Sequence, residues 1–175
     1  MAFNVNNFIN SMAKDGARPN LFEIIFTDAG QNFTIRARAS SLPASSIGMA
    51  SAYYFGRLAK FAGNRTFADW AVTVLVDEPD FVSGPRAALE RWSNSLNAHV
   101  ANNRSAAYLA PVGYQKDATI IQYGKTGNAI ATYLMRGCFP VDVGAMGLDW
   151  GANDTISEFS VTFAMQYWER TETTT

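Results

Sequence analysis

The stretch FSVTFAMQY at positions 159–167 decides the fold. Phe159, Val161, Phe163, Met165 and Tyr167 alternate with Ser160, Thr162, Ala164 and Gln166, a period of two that belongs to a strand and not to a helix. One face of such a strand meets a core and the other meets water. The pattern recurs upstream. Trp70, Val72, Val74 and Val76 make a second clean face, ended by the acidic turn Asp77-Glu78-Pro79-Asp80. Phe22, Ile24 and Phe26 make a third; Asp28-Ala29-Gly30 turns the chain, and Phe33, Ile35, Ala37 and Ala39 return it as a hairpin. Residues 118–123 and 129–135 flank 124–128, another hairpin turn.

One segment follows a helical period instead. Leu89, Trp92, Leu96 and Val100 share a face against Arg86, Glu90, Arg91, Asn94 and Asn97, with Ser83 placed to cap the start, Pro85 in the first turn and Asn102-Asn103 at the end. Residues 3–14, with Phe3, Phe8, Ile9 and Met12, read as a short helix stopped at Gly16 that docks on the domain or on a neighbour. Residues 40–52 read as a loop or crossing segment. Gly137, Pro140, Gly144 and Gly147 punctuate a connection, and 170–175 is a polar, frayed tail. The order is mainly β, a sandwich or barrel with one flanking α-helix, in a single domain over 1–175.

The piece that does not fit a compact domain is SAYYFGRLAKFAG at 51–63. Tyr54 and Leu58 fall on one side, Tyr53, Phe55 and Phe61 on the other, with Arg57 and Lys60 among them. A ribbon apolar on both faces must be covered twice, so it reads as a projecting arm buried by a partner subunit.

Composition narrows function by exclusion. The 175 residues are 48% hydrophobic and 17% charged, with a net charge of −1. Low charge leaves a monomer's surface hard to solvate and points to self-association. Near-neutrality argues against a general nucleic-acid binder. Cys138 is alone and His99 is the one imidazole, so an intrachain disulfide and a His-rich metal site are excluded. The start lacks a basic region followed by an apolar one, and no run is long and apolar enough to span a bilayer; the chain reads as made and kept in a cytoplasm.

Chemical motifs dissolve on inspection. Gly124-Lys125-Thr126 resembles the end of a phosphate-binding loop, but the glycine such a loop needs is Thr119 here, and the segment joins two strands. Ser11-Met12-Ala13-Lys14 matches Ser-x-x-Lys without its companion motifs. Asp77, Glu78 and Asp80 lack the glycine spacing of a calcium loop and read as a solvated turn. His99 reads as a residue near the helix end. Arg36 and Arg38 admit a solvated β face, a subunit contact through acidic loops, or contact with DNA phosphates. Trp70, Trp92, Trp150 and Trp168 read as core, Trp168 with a place at a contact. No enzyme, cofactor or metal site emerges.

Several gapped blocks then carry a resemblance: ARPNLFE at 17–23, GQNFTIRARASSLPA at 30–44, NRTFADWAVTVLVDE at 64–78, and Gly137, Pro140, Val143-Gly144 and Leu148-Asp149-Trp150 leading to Glu158-Phe159 and Tyr167-Trp168-Glu169. In this order they resemble the tail tube proteins of T-even-like contractile-tailed bacteriophages. The resemblance implies hexameric rings stacked into a tube, with sheets of neighbouring subunits joined edge to edge into a barrel lining the lumen. It implies a structural virion protein of the tail, assembled in the host cytoplasm, a conduit for the genome when the sheath contracts. The implied partners are further copies, the sheath, baseplate, tail-terminator and tape-measure proteins and, in the lumen, DNA. The tubes of type VI secretion, tailocins and other contractile injection systems share this design. A β-barrel ligand binder is the reading from another class. Tyr53, Tyr54, Phe55, Arg57, Leu58, Lys60 and Phe61, with Phe3 and Phe8, become the candidate inter-subunit contacts. Thr34, Arg36, Arg38, Ser160, Thr162 and Gln166 become the candidate lumen-facing or subunit-facing strand residues.

Overall fold

The structure is a computed structural model; it describes residues 4–12, 16–28 and 31–171, without the side chains of 28 and 31–33. Phe3, the turn residues Ala29 and Gly30, Lys14 and the tail 172–175 lie outside the described residues.

The alternating segments form strands: β1 (Phe22–Asp28), β2 (Gln31–Ile35), β3 (Ala37–Ser40), β4 (Ser45–Tyr54), β5 (Arg57–Phe67), β6 (Trp70–Leu75), β7 (Lys116–Tyr123), β8 (Ala129–Val143), β9 (Glu158–Ala164) and β10 (Tyr167–Thr171). Helices are α1 (Val5–Ser11), α2 (Pro85–Leu96) and α3 (Pro111–Tyr114). The main sheet runs β2-β1-β7-β8-β9-β6-β3, with β10 added on β8. Its first and last members are one run of chain bent at Arg36, whose carbonyl accepts from the Leu75 amide at 2.9 Å. The sheet therefore folds back on itself as a flattened barrel, its first and last strands joined by the chain and not paired with each other.

Long strand β8 is the opposite corner. Its first half pairs β7 and β10, and its second half pairs β9, with Phe139 opposite Ala164 and Val143 opposite Val161. Gly137 sits at the bend with φ +65°, and a Cβ there would come within 2.8 Å of Gln166 Cγ. Only glycine meets both conditions without strain. The corner divides the barrel into a five-stranded face (β2, β1, β7, first half of β8, β10) and a four-stranded face (β3, β6, β9, second half of β8).

The core lies between these faces. Ile24, Phe26, Ala118, Ile120 and Met135 come from the first; Trp70, Val72, Val74, Phe159, Val161 and Phe163 come from the second. Helix α2 adds Leu89 and Trp92. Phe26 stands 4.9 Å from Phe163, 6.1 Å from Trp70 and 6.3 Å edge-on from Trp92 by ring centroids, so four aromatic side chains tie both sheets and the helix together. Offset and edge contacts of this kind add to the gain from burial itself, about 1.5–3 kcal/mol per large side chain.

Several expectations are corrected. Helix α2 ends at Leu96, and Val100 is fully exposed beyond it. Its N-cap is Gly84, not Ser83, and makes no side-chain cap bond. Residues 137–143, read as a connection, continue β8. Residues 40–52, read as loop or crossing, hold the end of β3 and most of β4. The alternation of the last strand breaks at Met165–Gln166, so Tyr167 leaves the core and starts β10, which absorbs Arg170 and Thr171. Trp150 is wholly exposed.

Candidate assembly surfaces

The four-stranded face turns its other side outward. Ser160 pairs with Thr73 and Thr162 with Ala71, giving a row of small uncharged side chains. At the end of this row Arg38 is paired with Glu158. Arg38, Ser160 and Thr162 thus share one surface. The remaining strand candidates do not join them. Thr34 lies on the five-stranded face, its hydroxyl 3.5 Å from Glu23. Gln166 stands at the Gly137 corner. Arg36 reaches the acidic turn, 2.6 Å from Asp80 and 3.3 Å from Asp77.

That turn is structural. Asp77 and Asp80 cap a short 3-10 helix over Glu78–Phe81, Asp80 accepting from the Asp77 amide at 2.8 Å while Asp77 accepts from the Glu78 amide. Asp80 is buried, so its charge is taken up by one guanidinium and one amide. A Cβ on Gly84 would fall 2.1 Å from the Asp80 carboxylate, which accounts for a glycine at the start of α2. The expectation of a merely solvated turn is corrected, and both arginines are engaged within the subunit.

Other charged groups are similarly engaged. At the β8 corner Arg136 donates to Asp117 (2.5 Å) and Glu169 (3.0 Å), and these bonds push its guanidinium further above the usual arginine range. Asp117 also accepts from the Gly137 amide. Tyr123 donates to Glu23 at 2.7 Å, which raises the phenol. Burial pushes the Cys138 thiol up to about 12, so it stays protonated and inert at neutral pH. Among the described residues no group of three His, Cys, Asp or Glu is placed to hold a metal ion. Gly124-Lys125-Thr126 lies in the β7–β8 turn, closed by the Gly124 amide on the Asn128 carbonyl at 2.8 Å.

The arm is a free ribbon. β4 and β5 pair with each other alone, from Ser45 opposite Phe67 to Tyr54 opposite Arg57. It spans both strands from Ser45 to Phe67, wider than 51–63. The tip turns through Phe55 (φ +48°) and Gly56 (φ +76°), both left-handed as a two-residue hairpin turn demands. Almost every residue is exposed, including Tyr53 (79%), Tyr54 (73%) and Phe55 (91%). At the base a Cβ on Gly63 would lie 2.9 Å from the Gly48 backbone, so the strands cross closely there. Helix α1 buries nothing either; Phe8 is exposed and Asn4 caps its start. A loop over 144–157 exposes Leu148, Trp150 and Ile156. Trp150 escaped sequence reading because residue type alone assigns tryptophan to a core.

Among the described residues four borders of the barrel also have a strand on one side only: β2 pairs β1 alone, β10 pairs β8 alone, β3 pairs β6 alone, and the second half of β8 pairs β9 alone. Pro140 and Asp142 sit in that half of β8, a proline and a charge being usual on a sheet edge.

These features define a β-barrel subunit with open borders and a projecting two-stranded arm. The sequence profile of the phage tail tube proteins matches residues 1–171, and the chain belongs to that family. It is 36% identical over 156 residues to the tail tube protein gp19 of Enterobacteria phage T4, covering 89% of this chain and 92% of that protein. The same fold occurs in a chain of the sheath-tube complex of an extracellular contractile injection system, with a TM-score of 0.68 and 16% identity over 98% of this chain and 100% of that one. It occurs again in a sheath/tube terminator of such a system, with a TM-score of 0.68 and 17% identity over 90% of this chain and 97% of that one.

Proposed function

We propose that this chain forms the inner tube of a contractile phage tail by closing into six-membered rings, the four-stranded face lining the bore. The observation that carries this reading is the strand count of that face. Its strands are all antiparallel, and an even number leaves β3 and the second half of β8 running in opposite directions. In a ring related by rotation, β3 of one copy therefore meets β8 of the next as an antiparallel pair, and the sheet continues unchanged. The five-stranded face would have to join in parallel, with slanted and somewhat weaker hydrogen bonds. Closure satisfies the edges of β3 and of the second half of β8, which a lone copy leaves as an aggregation liability.

The lining then presents Ala71, Thr73, Ser160 and Thr162, with Arg38 and Glu158 neutralising each other. Such a wall neither grips phosphates nor offers a chemical group to them. Its role is mechanical: it holds a smooth bore open for the genome while the sheath drives the tube. The sheath, baseplate and terminator are its outer and end partners, and a tape-measure protein fills the bore before release. The arm and α1 supply contacts between copies.

Negative-stain microscopy with native mass spectrometry of the purified chain tests this. Rings of six copies, growing into tubes of constant width, are expected. A monomer at every concentration, or closed rings of another number, contradicts it.

A further inference from the structure

The arm and the loop over 144–157 are opposites in charge and alike in apolar exposure. Residues 45–67 carry Arg57, Lys60 and Arg65 and no carboxylate, while 141–158 carry Asp142, Asp149, Asp154 and Glu158 and no base. They also sit at opposite poles of one sheet. The arm leaves beside Trp70, whose indole donates to Ser40 and Ser41 at 2.9 and 3.1 Å. The loop ends at the far end of β6, where the Val76 amide donates to the Ser157 carbonyl at 2.9 Å. About 20 Å of strand separates them at roughly 3.3 Å per residue.

Resting on the tube reading, we propose that the arm of one copy docks head to tail on the 144–157 loop of a second copy. Tyr53, Tyr54 and Phe55 lie against Leu148, Trp150 and Ile156, and Arg57 and Lys60 face Asp149 and Asp154. A contact between opposite poles repeats in one direction, so it gives the stack a polarity and no two-fold end. Exposed aromatics supply the apolar centre of such an interface, and the charges choose the partner and the register. The other acidic turn is a poorer acceptor. Asp77 and Asp80 already hold Arg36, and Arg86 and Arg91 share a cleft with Phe81 and Val82. Glu158 is held by Arg38. Arg57 and Lys60, by contrast, meet no carboxylate among the described residues.

The test is a charge swap in the full chain, read as the critical concentration for tubes by sedimentation. R57E/K60E and D149K/D154K each raise it at least about ten-fold, and the quadruple variant restores it to within about three-fold of the natural chain. Circular dichroism of all three matches the natural chain, because every altered side chain is exposed. An F55C/W150C variant oxidises to a ladder of disulfide-linked oligomers rather than to a closed monomer. Failure of the quadruple variant to recover, or the absence of a ladder in assembled tubes, overturns the pairing while leaving the tube reading intact. So do D149K/D154K tubes that assemble normally yet no longer bind sheath, which assigns the loop to the sheath. A natural chain that never leaves the monomer sinks the tube reading and this inference with it.

Discussion

The barrel and the arm are built from similar residues and spend them in opposite ways. In the barrel, Phe26, Trp70, Trp92 and Phe163 are enclosed by two sheets and a helix, and the alternate positions are small or polar. In the arm, Tyr53, Tyr54, Phe55 and Phe61 are exposed, and among the described residues the two strands pair only with each other. A two-stranded ribbon of this kind is marginal by itself. The difference is that one region's aromatics stabilise the monomer while the other's are left exposed by it.

The sharpest way to break this contrast is to truncate both sets. Phe163→Ala should cost about 3–5 kcal/mol of unfolding free energy in urea, since it removes a buried ring and leaves a cavity. Tyr54→Ala should leave urea stability within about 0.5 kcal/mol and abolish tube growth. Equal losses from the two would remove the distinction. Next in size, Asp80→Ala should destabilise the monomer by about 1–3 kcal/mol, because Arg36 and the Asp77 amide lose their buried acceptor. The same urea titration measures it, and a change below about 0.5 kcal/mol would mean the turn is solvated after all. Gly63→Ala should displace the arm base against Gly48, leaving the melting temperature nearly unchanged while raising the critical concentration for tubes. Smallest of all, Cys138 should resist iodoacetamide at pH 8 in the folded chain and react once unfolded; prompt labelling of the native chain would contradict its burial.

What was legible in the sequence follows the same division. β6, β9 and the β7–β8 hairpin were readable because Trp70, Val72 and Val74, or Phe159, Val161 and Phe163, face a core at every second position. The first arm strand, SSIGMASAYY, reads mainly as loop because it has no core side and hence no burial to impose alternation. The second half of β8 reads as a connection because Gly137 and Pro140 signal breaks. Here the glycine makes a bend inside a continuous strand, and the proline sits where one side has no partner. Val100 kept helical spacing past the true end of α2 by coincidence of residue type. Of the candidate strand residues, Arg38, Ser160 and Thr162 were placed together by period two. Thr34 and Gln166 lie apart from them because the chain changes face at Arg36, between β2 and β3, and at Met165–Gln166, between β9 and β10.

The most direct measurement is a helical reconstruction of the purified tube by electron cryo-microscopy at side-chain resolution. The expected result is β3 hydrogen-bonded antiparallel to the second half of β8 in the next copy, with Ser160 and Thr162 facing the bore. A tube in which those two edges remain open, or in which Ser160 and Thr162 point to the outer surface, contradicts it.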